Sequence, residues 1–264
     1  MSQISGGQFD GTARYYARYR PPYPQQLLRI LQQTYNLDGT GRLLDLGCGT
    51  GNLTLPLAPY FSETVAIDAD AEMLQEAERA ASARHMRSIT WYQGRAEEVS
   101  TELGQFKLVT IANAFHWMDR DLVLARCAEV LPSGGGLALL GGGGSWWNSD
   151  RHWHRAVMAI VRRWLGARRR AGAGFYEVSE EPFSAAVKRS AFRVIDSGQV
   201  EIGFVWDVES IIGHLYSTTF CSPTLLGHNC GRFEDDLTAM LAELTPHGRF
   251  EDMLTFTYLL TRKR

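Results

Sequence analysis

The chain has 264 residues, 45% of them hydrophobic, and a formal net charge of -2. That is enough apolar material for one large core, or for a core domain carrying a sizeable insertion. The near-balanced charge gives no reason to expect binding to nucleic acid or attraction to a membrane surface. No apolar run approaches the ~20 residues needed to cross a bilayer, and the N-terminal stretch lacks a basic-then-apolar secretory pattern. Cys48, Cys127, Cys221 and Cys230 lie far apart without metal-ligand spacing, so neither a metal site nor a disulfide scaffold is expected. A cytoplasmic protein with reduced thiols is the simplest expectation; the oligomeric state is left open.

In chain order, Pro21, Pro22 and Pro24 precede "QQLLRILQQTY", where Leu27, Leu28 and Leu31 share one helical face. Five short apolar runs then read as buried strands: "RLLDLG" (42–47), "TVAID" (64–68), "ITWYQ" (89–93), "FKLVTIA" (106–112) and "GLALLG" (136–141). Helical segments alternate with them. In 70–84 the inward stripe is Met73, Leu74, Ala77 and Ala81; in 119–131 it is Leu122, Ala125, Cys127 and Val130. Strands buried on both faces and joined by helices predict an α/β, doubly wound, mostly parallel sheet. After residue 141 the rhythm breaks into a glycine run, an aromatic and His-rich helix, and an Arg/Gly/Ala stretch. Strand patterns return at 192–207 and 254–264. One domain is expected, seven-stranded with its last strand antiparallel, with residues 1–36 as an N-terminal helical segment and 142–191 as a helical cap insertion between the fifth and sixth strands.

The most informative stretch is "LLDLGCGTGNL" (43–53). Gly47, Gly49 and Gly51 let the backbone turn sharply and approach a ligand closely. A dinucleotide fingerprint wants GxGxxG, but its last glycine position holds Asn52, and an acidic residue, Asp45, enters the turn. That suits a ligand bearing an ammonium group better than one bearing phosphates. Asp68 ends the second strand 23 residues later, where a carboxylate can accept both hydroxyls of a ribose. Met73 follows five residues on and could cover an adenine face; the plainer roles for the two are a helix cap and a core side chain. Their place after the glycine turn favours ligand contact.

These stretches, with "AIDADAEML", "YQGRAEEV", "LVTIANAFHWMD" and "EVLPSGGGLALL", resemble in order and spacing the successive motifs of class I S-adenosylmethionine-dependent methyltransferases, over roughly residues 40–141. The N-terminal "FDGTARYYARYRPPYP" resembles a small-molecule subgroup that includes trans-aconitate methyltransferases. The resemblance implies that Asp45, Gly47, Cys48, Gly49 and Gly51 hold the methionine part of S-adenosyl-L-methionine, that Asp68 binds its ribose, and that Met73 packs on adenine. Arg95 and Ala96 would border the adenine edge, with Glu97 as the nearest alternative carboxylate where many relatives carry Asp. Asn113 and Ala114 would flank the sulfonium, and S-adenosyl-L-homocysteine would be the product. Tyr15 and Tyr19 share a helical face, and the N-terminal segment is expected to fold over the cofactor site with Tyr19 or Arg20 near the cofactor carboxylate; a helix packed elsewhere is the plainer reading.

Methyl transfer is an in-line displacement, in which orientation supplies roughly 7–11 kcal/mol of the barrier. His116 is the candidate catalytic base, since imidazole titrates near working pH; a purely orienting role is the other reading. Trp117 suits either a cation–π contact to the sulfonium or ordinary packing, and Asp119 reads as a helix N-cap. Tyr15, Trp117, Trp146 and Trp147 are the candidate substrate-binding residues, the last two as an aromatic wall or as helix packing. The arginines of 162–170 could meet an anionic substrate or form a solvated helix end. The function expected is methylation of a small molecule, O-methylation slightly favoured, in specialised natural-product metabolism. A cyclase-like enzyme or a cofactor-sensing protein on the same fold is the alternative.

Overall fold

The computed structural model describes residues 9–144, 146–171, 174–176, 181–245 and 247–264. Its strands are β1 (Arg42–Leu46), β2 (Glu63–Asp68), β3 (Ile89–Gln93), β4 (Leu108–Ala112), β5 (Gly136–Gly142), β6 (Arg170–Ala171), β7 (Gly174–Phe175), β8 (Phe192–Trp206) and β9 (Phe250–Lys263). Its helices are α1 (Ala13–Tyr19), α2 (Gln25–Tyr35), α3 (Thr54–Leu57), α4 (Ala71–Ala83), α5 (Arg120–Val130), α6 (His152–Leu165), α7 (Phe183–Lys188), α8 (Val208–Tyr216), α9 (Pro223–Leu226) and α10 (Cys230–Leu244). The chain divides into two compact units.

The sheet unit comprises Pro22–Gly142, Val178–Val200 and Thr255–Arg264. The seven-stranded sheet runs in the order β3-β2-β1-β4-β5-β9-β8. Strands β1 to β5 pair in parallel, and β9 lies antiparallel to β5 with Gly136 opposite Arg262. The α/β sheet with an antiparallel last strand is therefore as expected. Leu43, Leu44, Leu46, Leu108, Val109, Ile111 and Leu137 are all fully buried, which is why these strands read as unbroken apolar runs. At the edge, β3 leaves Thr90, Tyr92 and Gln93 exposed. Strand order reverses beside β1, between β2 and β4, and this puts a crevice at the carboxyl ends of those strands.

Met73, Leu74, Ala77 and Ala81 are the buried face of α4, whose N-cap is Asp70. Asp119 caps α5 by accepting from the Leu122 N–H at 3.1 Å. The expected face of α5 needs correction: it buries Val123, Leu124, Cys127 and Val130, while Leu122 and Ala125 are exposed. Starting from Cys127, steps of three and four residues reach 123, 124 and 130 but not 122 or 125.

The helical unit comprises Met1–Pro21, Gly143–Glu177 and Glu201–Leu254. The segment expected as a cap, 142–191, is divided between the two units at 177/178. The reason is where apolar side chains are buried: Ala186, Val187 and Phe192 belong to the core cluster of the sheet unit. Within the helical unit α6 packs on α10 and α1 on α8. A β-carbon on Gly213 of α8 would lie 2.2 Å from the Tyr19 ring, so α1 seats a tyrosine where α8 has no side chain. Asp252, buried, accepts from His154 Nε2 and Trp206 Nε1, both at 3.1 Å. Arg151 Nε lies 3.2 Å from its other oxygen. Burial pushes the Asp252 carboxyl up, but the His154 and Trp206 hydrogen bonds outweigh it and hold the group below its ordinary value.

Candidate active site

The glycine turn doubles back from β1 onto the end of β2. The N–H groups of Gly47 and Cys48 both donate to the Ile67 carbonyl, at 2.8 and 3.1 Å. Gly47 has φ +66°, and a β-carbon there would sit 2.5 Å from that of Ala114. Glycine is required by both conformation and approach. Gly49 has φ +53°, and the space where its β-carbon would stand holds nothing within 4 Å. The turn therefore presents bare backbone toward open space. Its N–H donates to Asp68 Oδ2 at 2.7 Å, and the Asp70 N–H donates to Oδ1 at 2.9 Å. A carboxylate has about four acceptor positions, so this pair leaves capacity for two hydroxyls. Burial raises the Asp68 pKa, partly offset by those N–H donors.

Asp45 is placed differently from the sequence expectation. It is 1% exposed, and its oxygens accept from Thr54 Oγ1 at 2.5 Å and Thr110 Oγ1 at 2.7 Å. The carboxylate ties β1 to β4 and α3, beneath the turn. Burial pushes its pKa up to about 6, opposed by the two hydroxyls and reinforced by the charge of Asp68. Thr54 and Thr110 were not singled out by sequence reasoning; the available signal was a hydroxyl residue inside otherwise apolar runs.

At the end of β4 Asn113 adopts φ +52°. Its Oδ1 accepts from the Gly142 N–H and its Nδ2 donates to the Gly142 carbonyl, both at 3.0 Å. Nδ2 also donates to the Tyr23 hydroxyl at 3.2 Å. The side chain thus continues the β4–β5 pairing one step beyond the end of β4, a role the sequence does not announce. Phe115, 2% exposed, anchors the following turn against Phe183 at 5.0 Å. This leaves His116 and Trp117 half-buried, their rings 4.7 Å apart. Met73 and Ala96 are buried and Arg95 is exposed. Glu97 is already engaged, accepting from the Asp119 N–H at 3.0 Å and lying 3.5 Å from Arg95 Nε.

The remaining candidates lie in the helical unit. The Tyr19 hydroxyl donates to Glu209 at 2.7 Å, Arg20 donates to the Ser217 carbonyl at 3.1 Å, and Tyr15 meets the edge of Tyr216 at 5.1 Å. Trp146 is 3% exposed among Trp153, His154, Trp206 and His214, so it is a core side chain here. Trp147 is half-buried against Phe220 at 5.2 Å.

Residues 43–135 match a methyltransferase domain family. A probable S-adenosylmethionine-dependent methyltransferase of Saccharomyces cerevisiae is 31% identical over 127 residues, 47% of this chain and 43% of that protein. An uncharacterized methyltransferase of Mycobacterium tuberculosis is 33% identical over 151 residues, 56% of each chain. The chain spans about half the length of these two relatives. Among solved structures, a putative type II methyltransferase from Anaeromyxobacter dehalogenans superposes with TM-score 0.59 at 22% identity, covering 93% of this chain and 98% of that one. The fold is that of the methyltransferases, and the matched segment contains the glycine turn, Asp68, Asn113 and His116.

Proposed function

We propose that the protein is an S-adenosylmethionine-dependent methyltransferase acting on a small organic acceptor. The observation that carries this reading is the Asp68–Gly49 pair: a turn opening bare backbone onto empty space, fastened to a carboxylate with acceptor capacity to spare. The donor set fits the cofactor, since backbone N–H and C=O groups and one carboxylate suit an amino-acid–ribose ligand, and the missing third-position glycine argues against a pyrophosphate. When bound, S-adenosylmethionine supplies an activated methyl group on sulfur. Gly47, Cys48, Gly49 and Gly51 hold the methionine part, Asp68 the ribose, and Met73, Arg95 and Ala96 the adenine side. Asn113 and Ala114 border the sulfonium. His116 takes a proton from an acceptor that must lose one, with Trp117 beside it. Oxygen is the favoured acceptor atom, in specialised metabolism. Among the described residues no helix is long and apolar enough to cross a membrane.

Calorimetry with S-adenosylmethionine and S-adenosylhomocysteine tests the cofactor assignment. Both bind the wild type, and Asp68→Ala weakens them by roughly 10-fold or more, the loss of hydrogen bonds to a charged acceptor. Absence of binding by either nucleotide, or an Asp68→Ala variant indistinguishable from wild type, overturns it.

A further inference from the structure

Four of the five arginines in 162–170 have ordinary surroundings. Arg163 pairs with Asp236 at 2.6 Å. Arg162 donates to the Trp147 carbonyl at 2.7 Å and lies over its ring. Arg170 Nε donates to the Leu165 carbonyl at 3.2 Å, and Arg168 covers Phe175 at 4.0 Å. Arg169 is different. Its Nε is buried without a hydrogen-bond partner, and its guanidinium lies over Tyr176 at 4.3 Å and Phe220 at 5.3 Å. Phe220 in turn meets Trp147 edge-on.

Four carboxylates among the described residues of this unit have other partners. Asp252 serves His154, Trp206 and Arg151; Glu209 serves Arg18 and Tyr19; Glu234 accepts from Tyr216; Asp236 serves Arg163 and Trp164. Meanwhile a second guanidinium works on the same segment: Arg20 donates to the carbonyl of Ser217, three residues before Phe220. Burial disfavours the Arg169 cation, Tyr176 opposes that, and the charge of Arg20 adds to it. A part-buried guanidinium with an orphan N–H, framed by aromatic rings and facing like charge, is stabilised by an anion.

We propose that Arg169 anchors an anionic group, carboxylate or phosphate, of the methyl acceptor, whose apolar body rests on the half-buried Trp147, backed by the buried Phe220. The anion is a handle and not the methylated atom. Guanidinium donors draw on the lone pairs that an in-line attack needs, so the reacting oxygen, nitrogen or carbon lies elsewhere on the same molecule. The proposal rests on the methyltransferase reading. Because the cofactor carries a carboxylate of its own, the test separates the two sources.

The full chain is titrated with benzoate and with inorganic phosphate, and with benzamide as the neutral counterpart. Each titration is run at saturating S-adenosylhomocysteine and read on arginine Nε–Hε resonances by NMR. At least one of the two anions binds and benzamide does not. Arg169→Gln weakens anion binding by ~10-fold or more, the size of one lost charge-assisted hydrogen bond, and Arg169→Lys recovers part of it. Affinity for S-adenosylhomocysteine stays unchanged in both variants. Binding of neither anion, or equal binding in Arg169→Gln, overturns the proposal. So does a matching loss of S-adenosylhomocysteine affinity, which assigns Arg169 to the cofactor. If Arg169→Gln does not fold, Arg169→Lys decides, because losing the planar fork must weaken carboxylate or phosphate binding. Failure of the wild type to bind S-adenosylhomocysteine would sink the methyltransferase reading instead, and the anion titration is then read without it.

Discussion

Asp45 and Asp68 end adjacent parallel strands yet have opposite tasks: one is sealed under the glycine turn and the other faces across it. The sealed one makes stability depend on pH. Its folded pKa of about 6 lies above the unfolded value of roughly 3.9, so the folded state binds the extra proton between them. Stability falls as pH rises through that window and levels off above it, by on the order of 3 kcal/mol. Urea unfolding of wild type and Asp45→Asn across a pH series checks this: the difference between them shifts toward the variant from about pH 4 to about pH 7 and is constant beyond. His116 carries the kinetic prediction. As a general base it is worth ~10²–10⁴-fold, so His116→Ala loses that much in kcat while calorimetric cofactor affinity stays intact. A parallel fall in affinity makes it a binding residue, and no change in either returns it to packing. The sharp turn at Gly47, Gly49 and Gly51 and the strand-end position of Asp68 were legible, because left-handed backbone and strand ends leave a local signature. The burial of Asp45 was not, since a strand-end Asp reads alike whether its partners are two threonines or a ligand.

Among the elements, β1 to β5, α4 and the α5 cap were readable from periodicity and capping chemistry. The inward face of α5 was not, because apolar side chains are spread around much of that helix and the period alone did not choose among faces. The N-terminal helix offers a sharper test. Its Tyr19 ring occupies the place where Gly213 would carry a β-carbon, so Gly213→Ala forces a large ring off its seat. Overpacking of this kind costs typically ~1–3 kcal/mol, and here the cost falls on the α1–α8 contact. Limited proteolysis should therefore cleave 9–20 faster in Gly213→Ala, with cleavage slowed again in Gly213→Ala/Tyr19→Ala. Equal cleavage rates in all three proteins would mean that the ring adapts freely.

At the scale of the whole molecule the chain passes between its two units five times, at 21/22, 142/143, 177/178, 200/201 and 254/255. Two of those passages occur inside β8 and β9. Continuous strands cannot melt in one half while remaining paired in the other without losing ladder bonds, so unfolding should be a single event. Five of the seven tryptophans (Trp146, Trp147, Trp153, Trp164 and Trp206) belong to the helical unit, whereas far-UV circular dichroism reports on both. The two probes should give one coincident thermal transition; separated midpoints would show independently folding units. Strand and helix patterns locate a sheet well but carry no mark of which compact unit a segment joins. The strands that serve both units also constrain how such a chain can change its preferences. Residues 201–254 begin within β8 and end within β9, so a transplanted replacement would have to match strand register at both seams or turn every inward side chain outward. Exchange of this segment as a ready-made cassette therefore demands register matching at two seams at once, a demand that substitution at single positions does not face.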